Sequence, residues 1–143
     1  MASRPDPTIR LFRSADRPAL EALWTRVFPD DPPWNTPSVL LARKLAVQPD
    51  LIFVAVVDGV LVGAVMAGFD GVRGWIYHLA VAPESRRCGV ATRLVRAAEA
   101  ALRDLGCPKV NLQVRASNTG VVAFYQALGF AIEERVSMGR RLD

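Results

Sequence analysis

The sequence predicts a mixed α/β (α+β) fold, in which helices flank a central sheet with both antiparallel and parallel strands. Two β-rich runs, 51–57 and 60–68, are joined by Asp58-Gly59, a pair that strongly favours a tight hairpin. A second Asp-Gly turn leads into a buried run at 75–81. Three antiparallel strands are therefore expected in succession.

A strand, a turn and a helix follow one another between residues 75 and 105 and predict the parallel part of the sheet. The helix has apolar residues at helical spacing from Ala91 to Leu105, and Gly106 is placed to end it. The next β-rich run, 110–114, follows this helix, and such crossovers join parallel strands. The strand 75–81 is thereby predicted to lie in mid-sheet, with 110–114 as its parallel neighbour.

The other elements are predicted from their periodicity and end signals. No internal repeat or second domain is visible, so we expect one domain over 1–143. Residues 1–7 carry two prolines and little that could pack, which predicts a disordered, frayed end. The remaining predicted elements are a strand at 8–13, helices at 14–28, 38–47 and 117–129, and one or two closing strands within 130–142.

The amino-acid composition limits the classes of protein to which the chain can belong. With 51% hydrophobic and 22% charged residues, the chain is predicted to be globular, and no apolar run approaches the roughly 20 residues that span a bilayer. We expect a cytoplasmic protein with no membrane partner. The net charge of +4 comes from scattered arginines without a dense basic stripe, so we expect no nucleic-acid partner. Cys88, Cys107 and the single His78 fit no metal-ligand spacing, so no metal is expected.

The turn that follows the strand 75–81 is the first candidate site. It reads Arg86-Arg87-Cys88-Gly89-Val90-Ala91 and opens a helix. The first N–H groups of a helix have no partner within it, and the helix dipole favours an anion there, such as a phosphate or pyrophosphate. An ordinary structural strand–turn–helix unit has the same appearance, and the turn alone does not decide between the two.

Two motifs, about 30 residues apart, resemble the GCN5-related N-acetyltransferases over essentially the full chain. The acetyl-CoA signature of that family is met by Arg86, Gly89 and Ala91, and a second element is met by Asn118, Tyr125, Gly129 and Phe130. Pro33-Trp34-Asn35, Phe69-Asp70-Gly71 and Gly106-Cys107-Pro108-Lys109 are most similar to small bacterial YpeA-like members. The resemblance implies six to seven strands, about four helices, and a splay between the parallel strands 75–81 and 109–114.

The resemblance also implies acetyl-CoA as co-substrate. Backbone N–H groups from Arg87 to Ala91 would hold its pyrophosphate, and the exposed backbone of Leu79 and Val81 would dock the pantetheine arm like an added strand. Arg87 stands where many relatives have another glycine, which leaves open whether it contacts phosphate or solvent. The implied binding residues are Leu79, Ala80, Val81, Arg86, Arg87, Cys88, Gly89, Val90, Ala91, Thr92, Asn118 and Tyr125.

The implied reaction is direct acetyl transfer from the thioester to a primary amine of a small molecule or protein. Tyr125 matches the general acid of the family, although its position on an apolar helix stripe also fits simple packing. Gln113 stands where the ribosomal-protein N-terminal acetyltransferases have a catalytic glutamate, and glutamine cannot accept a proton. The base is left open among His78, Tyr77, Asp70 and a water chain, with His78 expected on the opposite face of its strand from Tyr77.

Other readings stay open. Cys88 occupies a variable position of the turn, so an acetyl-cysteine intermediate is not favoured.

The alternative to an enzyme is a non-catalytic acyl-CoA-binding or regulatory module with the same fold, because no clear base is visible. The loop 29–37, with Trp34, either borders the acceptor pocket or covers the core, and Asp30 and Asp31 hint at a cationic amine. The acceptor is unknown, and a homodimer is left open.

Overall fold

The structure is a computed structural model that describes residues 6–143, and it divides into two compact units. The first unit ends at Leu112, and the second runs from Gln113 to Asp143. Most of the predicted frayed end lies outside the described residues. Its disorder therefore stays a prediction. Among the described residues, Pro7 is buried, and its carbonyl accepts a hydrogen bond of 2.6 Å from the Arg93 guanidinium.

The first unit contains a mixed sheet, which confirms the predicted fold class. The strands lie in sequence order, with antiparallel pairing from the first to the fourth and parallel pairing between the fourth and fifth. The fourth strand therefore has neighbours on both sides, as predicted. The strands are β1 (Thr8–Leu11), β2 (Ile52–Val57), β3 (Val60–Phe69), β4 (Gly74–Val81) and β5 (Val110–Asn111).

Four α-helices occur among residues 6–143, in agreement with the predicted number. Short 3-10 turns precede several of the elements, and each of the two prolines at 18 and 37 lies in the first turn of its helix, where the missing N–H is tolerated. The helices are α1 (Arg17–Val27), α2 (Pro37–Val47), α3 (Val90–Asp104) and α4 (Thr119–Ala127).

The predicted turns have the conformations that their residues favour. Asp58 and Gly59 have φ values of 50° and 78°, as a type I′ hairpin between β2 and β3 requires. Gly106 has a φ of 83° after α3, and the Cys107 N–H donates to the Leu102 carbonyl at 3.0 Å, which closes the helix in a Schellman motif.

The sheet is covered on both faces. On one face α1 and α2 contribute Leu20, Leu23, Trp24 and Leu41 to a buried cluster with β2, β3 and β4. On the other face α3 crosses the strands, and a Cβ added at Gly63 of β3 would lie 3.0 Å from Val90. The absence of a side chain at Gly63 thus lets the first turn of α3 approach the sheet closely.

In the second unit, α4 is well defined but the predicted closing strands are not. Residues 130–142 form no strand, and the described residues contain five strands rather than six to seven. The strand predicted at 110–114 is also shorter, since only Val110–Asn111 is paired. The apolar residues that predicted the closing strands are 75–96% exposed, so no buried face stabilises a strand there; they are Ile132, Val136, Met138 and Leu142.

None of the helices within 6–143 combines the length and the apolar character that a membrane-crossing segment needs.

Candidate active site

The central strand β4 is interrupted by a β-bulge at His78 and Leu79, which together lie opposite Val65 of β3. His78 has a φ of 48°, in the left-handed region that is uncommon for residues other than glycine. A bulge of this kind re-aims the side chains that follow it and bends the strand.

The bulge places Tyr77 and His78 on the same face of the sheet, against the predicted alternation. The His78 ring packs at centroid distances of 5.5 Å from Trp24 and 4.9 Å from Phe28, at α1 and just beyond its end. Tyr77 lies beside Gly68, near the end of α2. The prediction of opposite faces was wrong because it assumed an unbroken two-residue period through position 78.

Beyond the bulge, β4 exposes one edge of its backbone within the first unit. The Ala82 N–H donates to the Val62 carbonyl at 2.8 Å, which directs the backbone of alternate residues toward β3. The backbone groups of Leu79 and Val81 therefore point to the other edge. The β5 ladder reaches only the first two residues of β4, so it does not cover this edge.

The turn from β4 into α3 has the geometry of an anion site. Gly89 is the N-cap residue with a φ of 77°, and a Cβ there would meet nothing within 4 Å, so the glycine is needed for its backbone conformation. The first intrahelical bond runs from the Arg93 N–H to the Gly89 carbonyl. The N–H groups of Val90, Ala91 and Thr92 thus remain for a ligand, with no side-chain cap and no acidic residue in the first turn.

The side chains of the turn divide into exposed and buried ones. Arg86 donates through Nε to the Val81 carbonyl at 3.1 Å, so it ties the turn to the end of β4. Arg87 has a φ of 64° and an exposed side chain. Ala80 and Val90 are buried. The Cys88 thiol donates to the Arg86 carbonyl within the turn.

The His78 ring is within hydrogen-bonding distance of Asp31, in the loop between α1 and α2. The distance between His78 Nε2 and Asp31 Oδ2 is 3.0 Å, and both side chains are about four-fifths buried. Trp24 Nε1 donates to the His78 carbonyl at 3.3 Å, which supports the bulge from α1. The predicted acceptor loop and the central strand therefore meet at a carboxylate–imidazole pair. Sequence reasoning missed this pair, because 47 residues separate its members and no local pattern connects them.

The other two base candidates are engaged differently. Asp70 Oδ1 accepts N–H bonds from Val72 at 2.7 Å and Arg73 at 2.8 Å, and these bonds lower the pKa of the Asp70 carboxyl. Burial, with a smaller contribution from Asp70, raises the pKa of Tyr77, whose ring stacks on Trp75. Tyr77 is therefore protonated at neutral pH, and Asp70 is held in its turn.

The second unit holds the other two predicted site residues on α4. Asn118 caps the helix, since its Oδ1 accepts from the Val121 N–H at 3.3 Å. Tyr125 is 7% exposed, with its ring edge-on to Phe124 and Phe130. Burial raises the pKa of Tyr125 to about 12. Its hydroxyl has no hydrogen-bond partner among the described residues.

Gln113 and Trp34 complete the predicted set. Gln113 is exposed and donates through Nε2 to the Ser137 hydroxyl at 2.6 Å within the second unit. Trp34 is 44% exposed, so it does not cover the core; Trp24 of α1 is the fully buried tryptophan instead. In the described part of the chain, no three His, Cys, Asp or Glu residues are grouped so that they could hold a metal ion.

The raised pKa of Tyr125 predicts a specific loss of stability in alkali. The folded state keeps the phenol neutral, so this contribution is fully present below about pH 10 and is lost as the pH rises toward about 12. Urea unfolding of wild type should lose about 1.4 kcal/mol relative to Tyr125→Phe between pH 9 and pH 11, for roughly one unit of pKa shift expressed in that interval. If the free energy of unfolding depended on pH in the same way in the two proteins, the burial of a neutral phenol would be contradicted.

Comparison with known proteins identifies the family of the chain. The model of the Acetyltransferase (GNAT) family matches residues 17–130 and thus runs through both units. The chain belongs to this family. An acetyltransferase of Pectobacterium atrosepticum is 42% identical over 136 residues, which are 94% of each chain, and one of Sodalis glossinidius is 42% identical over 137 residues, again 94% of each. The chain is therefore a GNAT acetyltransferase.

Solved GNAT structures show the same fold. The aminoglycoside N-acetyltransferase AAC(6')-Iy in complex with CoA is 25% identical, with a TM-score of 0.80 and complete coverage of both chains. The ribosomal-protein-S18-alanine N-acetyltransferase of Escherichia coli shares the fold with a TM-score of 0.72 at 24% identity, over 86% of this chain and 76% of that one. The fold predicted from the two motifs is thus confirmed.

Proposed function

We propose that the protein is an acetyl-CoA-dependent N-acetyltransferase that transfers acetyl directly from the thioester to a primary amine. The observation that carries the proposal is the turn at Gly89, where the N–H groups of Val90, Ala91 and Thr92 are left without helix partners. It follows a strand whose edge at Leu79 and Val81 is not paired with β5, although Arg86 occupies the Val81 carbonyl. The free N–H groups of the turn can bind a pyrophosphate, and the strand edge can pair with the amides of a pantetheine arm.

The residues then have the following roles in the transfer. The neutral amine attacks the thioester carbonyl, and the tetrahedral intermediate collapses with loss of the CoA thiolate. Tyr125 donates a hydrogen bond to the leaving sulfur. Its pKa of about 12 lies above the roughly 8.5 of a thiol, so the hydroxyl stabilises the thiolate without a complete proton transfer to it. Asn118 caps α4 through Oδ1 and offers its amide nitrogen to the pantetheine.

His78 is the base that the geometry favours. When Nε2 carries the proton and donates to Asp31, Nδ1 is left as an acceptor, and no described residue occupies it. This arrangement resembles the orienting carboxylate of a catalytic triad. A His78→Asn variant should lower kcat/KM about 10²–10⁴-fold, and an unchanged kcat/KM would assign proton removal to another group or to water.

The function is tested by CoA-thiol release from acetyl-CoA in the presence of a panel of primary amines, with calorimetry of CoA binding in parallel. We expect CoA to bind and at least one class of amine to be acetylated. CoA binding without turnover on any amine would instead favour a non-catalytic acyl-CoA-binding module with this fold. Absence of CoA binding would remove both functions.

A further inference from the structure

A lysine of α2, on the side of the sheet where Tyr77 lies, carries a charge that has no acidic partner among the described residues. Lys44 of α2 is partly buried, and its ammonium donates to Gln48 Oε1 at 3.2 Å. No described carboxylate pairs with it, and burial lowers the pKa of its amine. An ammonium has three donors, so two remain unused. A partly buried cation in this state is stabilised by any anion that reaches it.

Gln48, the described hydrogen-bond partner of Lys44, forms two further hydrogen bonds. Gln48 Oε1 also accepts from the Phe69 N–H at 3.0 Å, while Gln48 Nε2 donates to the Phe69 carbonyl at 3.2 Å. The amide of Gln48 therefore pairs with the end of β3 in the way a neighbouring strand would. This pairing fixes the position of its oxygen, and through it the position of the ammonium.

A missing side chain keeps the space beside the ammonium open. A Cβ at Gly68 would lie 3.5 Å from Lys44 Nζ, 3.6 Å from Tyr77 Cε2 and 3.7 Å from Gln48 Oε1. Gly68 is not in the left-handed region, so its backbone does not require glycine. Gly68 therefore leaves room for about one carbon atom next to these three groups.

This space adjoins the proposed acceptor side of the reaction. Tyr77 is 45% exposed, stacks on Trp75 and immediately precedes the bulge at His78. Leu79, at the strand edge proposed to dock the pantetheine, follows two positions after Tyr77, across the bulge. The tyrosine ring beside the ammonium therefore belongs to the same segment of β4 as that edge.

We propose that Lys44 binds an anionic group of the acceptor, so that the substrate is a small amine that also carries a carboxylate or phosphate. The inference rests on the proposed acetyl transfer and names the substrate class of that site. Its chemistry disfavours polycationic acceptors, because an ammonium beside the acceptor repels a second positive charge. The hint of a cationic partner at Asp30 and Asp31 does not oppose this, since Asp31 is already paired with His78.

Matched pairs of amines test the proposal. β-Alanine, γ-aminobutyrate and O-phosphoethanolamine are compared with propylamine, butylamine and ethanolamine, which have amines of similar basicity but no anionic group. We expect kcat/KM for CoA release to be about tenfold or more higher for the anionic members, as for a charge-assisted hydrogen bond. The better series, carboxylates or phosphate, identifies the anion. Equal or higher rates with the neutral amines, or with an aminoglycoside, would overturn the proposal.

Variants assign the effect to Lys44. Lys44→Met should abolish the preference for anionic amines while changing kcat/KM for the neutral ones less than threefold, and Lys44→Arg should keep the preference. Arg43→Met removes the exposed neighbouring charge of the same helix and is the matched control, with the preference intact. A preference that survives Lys44→Met, or that is lost in Arg43→Met to the same extent, would contradict the assignment.

Binding separates failure of this inference from failure of the proposed function. The CoA-loaded protein is titrated with γ-aminobutyrate and with butylamine by calorimetry, in wild type and Lys44→Met. Binding of γ-aminobutyrate that weakens about tenfold in the variant supports the anion site even if no acetyl group is transferred. No preference for γ-aminobutyrate in wild type overturns the site, even if other amines are acetylated.

Discussion

Replacing Tyr125 with phenylalanine is expected to lower kcat about a hundredfold and to leave CoA affinity within a few-fold of wild type. The hydroxyl is the polar end of a side chain that is otherwise buried against Phe124 and Phe130, and it has no hydrogen-bond partner among the described residues. General acid groups contribute about 10²–10⁴-fold. We place Tyr125 at the lower end, because a phenol with a pKa of about 12 stabilises a thiolate without fully protonating it.

Steady-state thiol release gives kcat, and calorimetry with CoA gives the affinity. An interaction made only in the transition state lowers kcat and kcat/KM together. A thioester with a more acidic leaving thiol should lessen the defect, since its thiolate needs less stabilisation. Phe130→Leu disturbs the packing of the ring without removing the hydroxyl and should keep kcat near wild type. A Tyr125→Phe enzyme with kcat within threefold of wild type would leave Tyr125 a packing role alone.

The local parts of the fold could be predicted from sequence because their signals are local. The Asp58-Gly59 hairpin, the end of α3 at Gly106 and the cap at Asn118 each depend on a few adjacent residues whose backbone preferences are strong. The parallel pairing of β4 with β5 followed from the crossover helix between them. These features required no knowledge of distant partners.

The bulge at His78 could not be predicted, and it changed the interpretation of the site. A positive φ usually has a glycine or asparagine as its signal, and the sequence has neither at position 78. The bulge is held by non-local contacts, the Trp24 indole on the backbone and Asp31 on the ring. A period-two reading of the strand therefore placed His78 on the wrong face.

The proposed donor and acceptor parts of the site differ in how far they could be predicted from local sequence signals. The turn around Gly89 is a contiguous motif. Its backbone N–H groups can bind an anion whatever most of its side chains are. The proposed acceptor side depends on side chains of α2 and β4 and on Gly68 of β3, which meet only in the folded chain. Its one sequence signal was overlooked: the chain has 16 arginines and only two lysines, Lys44 and Lys109, and a lysine differs from arginine in its compact charge and adaptable pKa.

Truncating Trp24 is expected to cause a large loss of stability and to weaken the site at the same time. The side chain is fully buried at the centre of the α1 face of the sheet, and such Trp→Ala changes cost about 3–5 kcal/mol. Trp24 also supports the bulge by its N–H bond to the His78 carbonyl and by its contact with the His78 ring. Urea unfolding measures the first effect, and kcat/KM of the still-folded protein at low temperature measures the second.

Trp24→Phe separates the two contributions. It keeps most of the apolar packing but removes the indole donor, which leaves the part-buried His78 carbonyl without that partner and should cost about 1 kcal/mol. Trp34→Ala, at a tryptophan that is 44% exposed, is the matched control and should cost far less than Trp24→Ala. If Trp24→Phe retains wild-type kcat/KM, the left-handed backbone at His78 is held by Asp31 and the β3 pairing without help from α1. If kcat/KM instead falls by more than the folded fraction of the protein does, the hydrogen bond from Trp24 to the His78 carbonyl contributes to positioning the site.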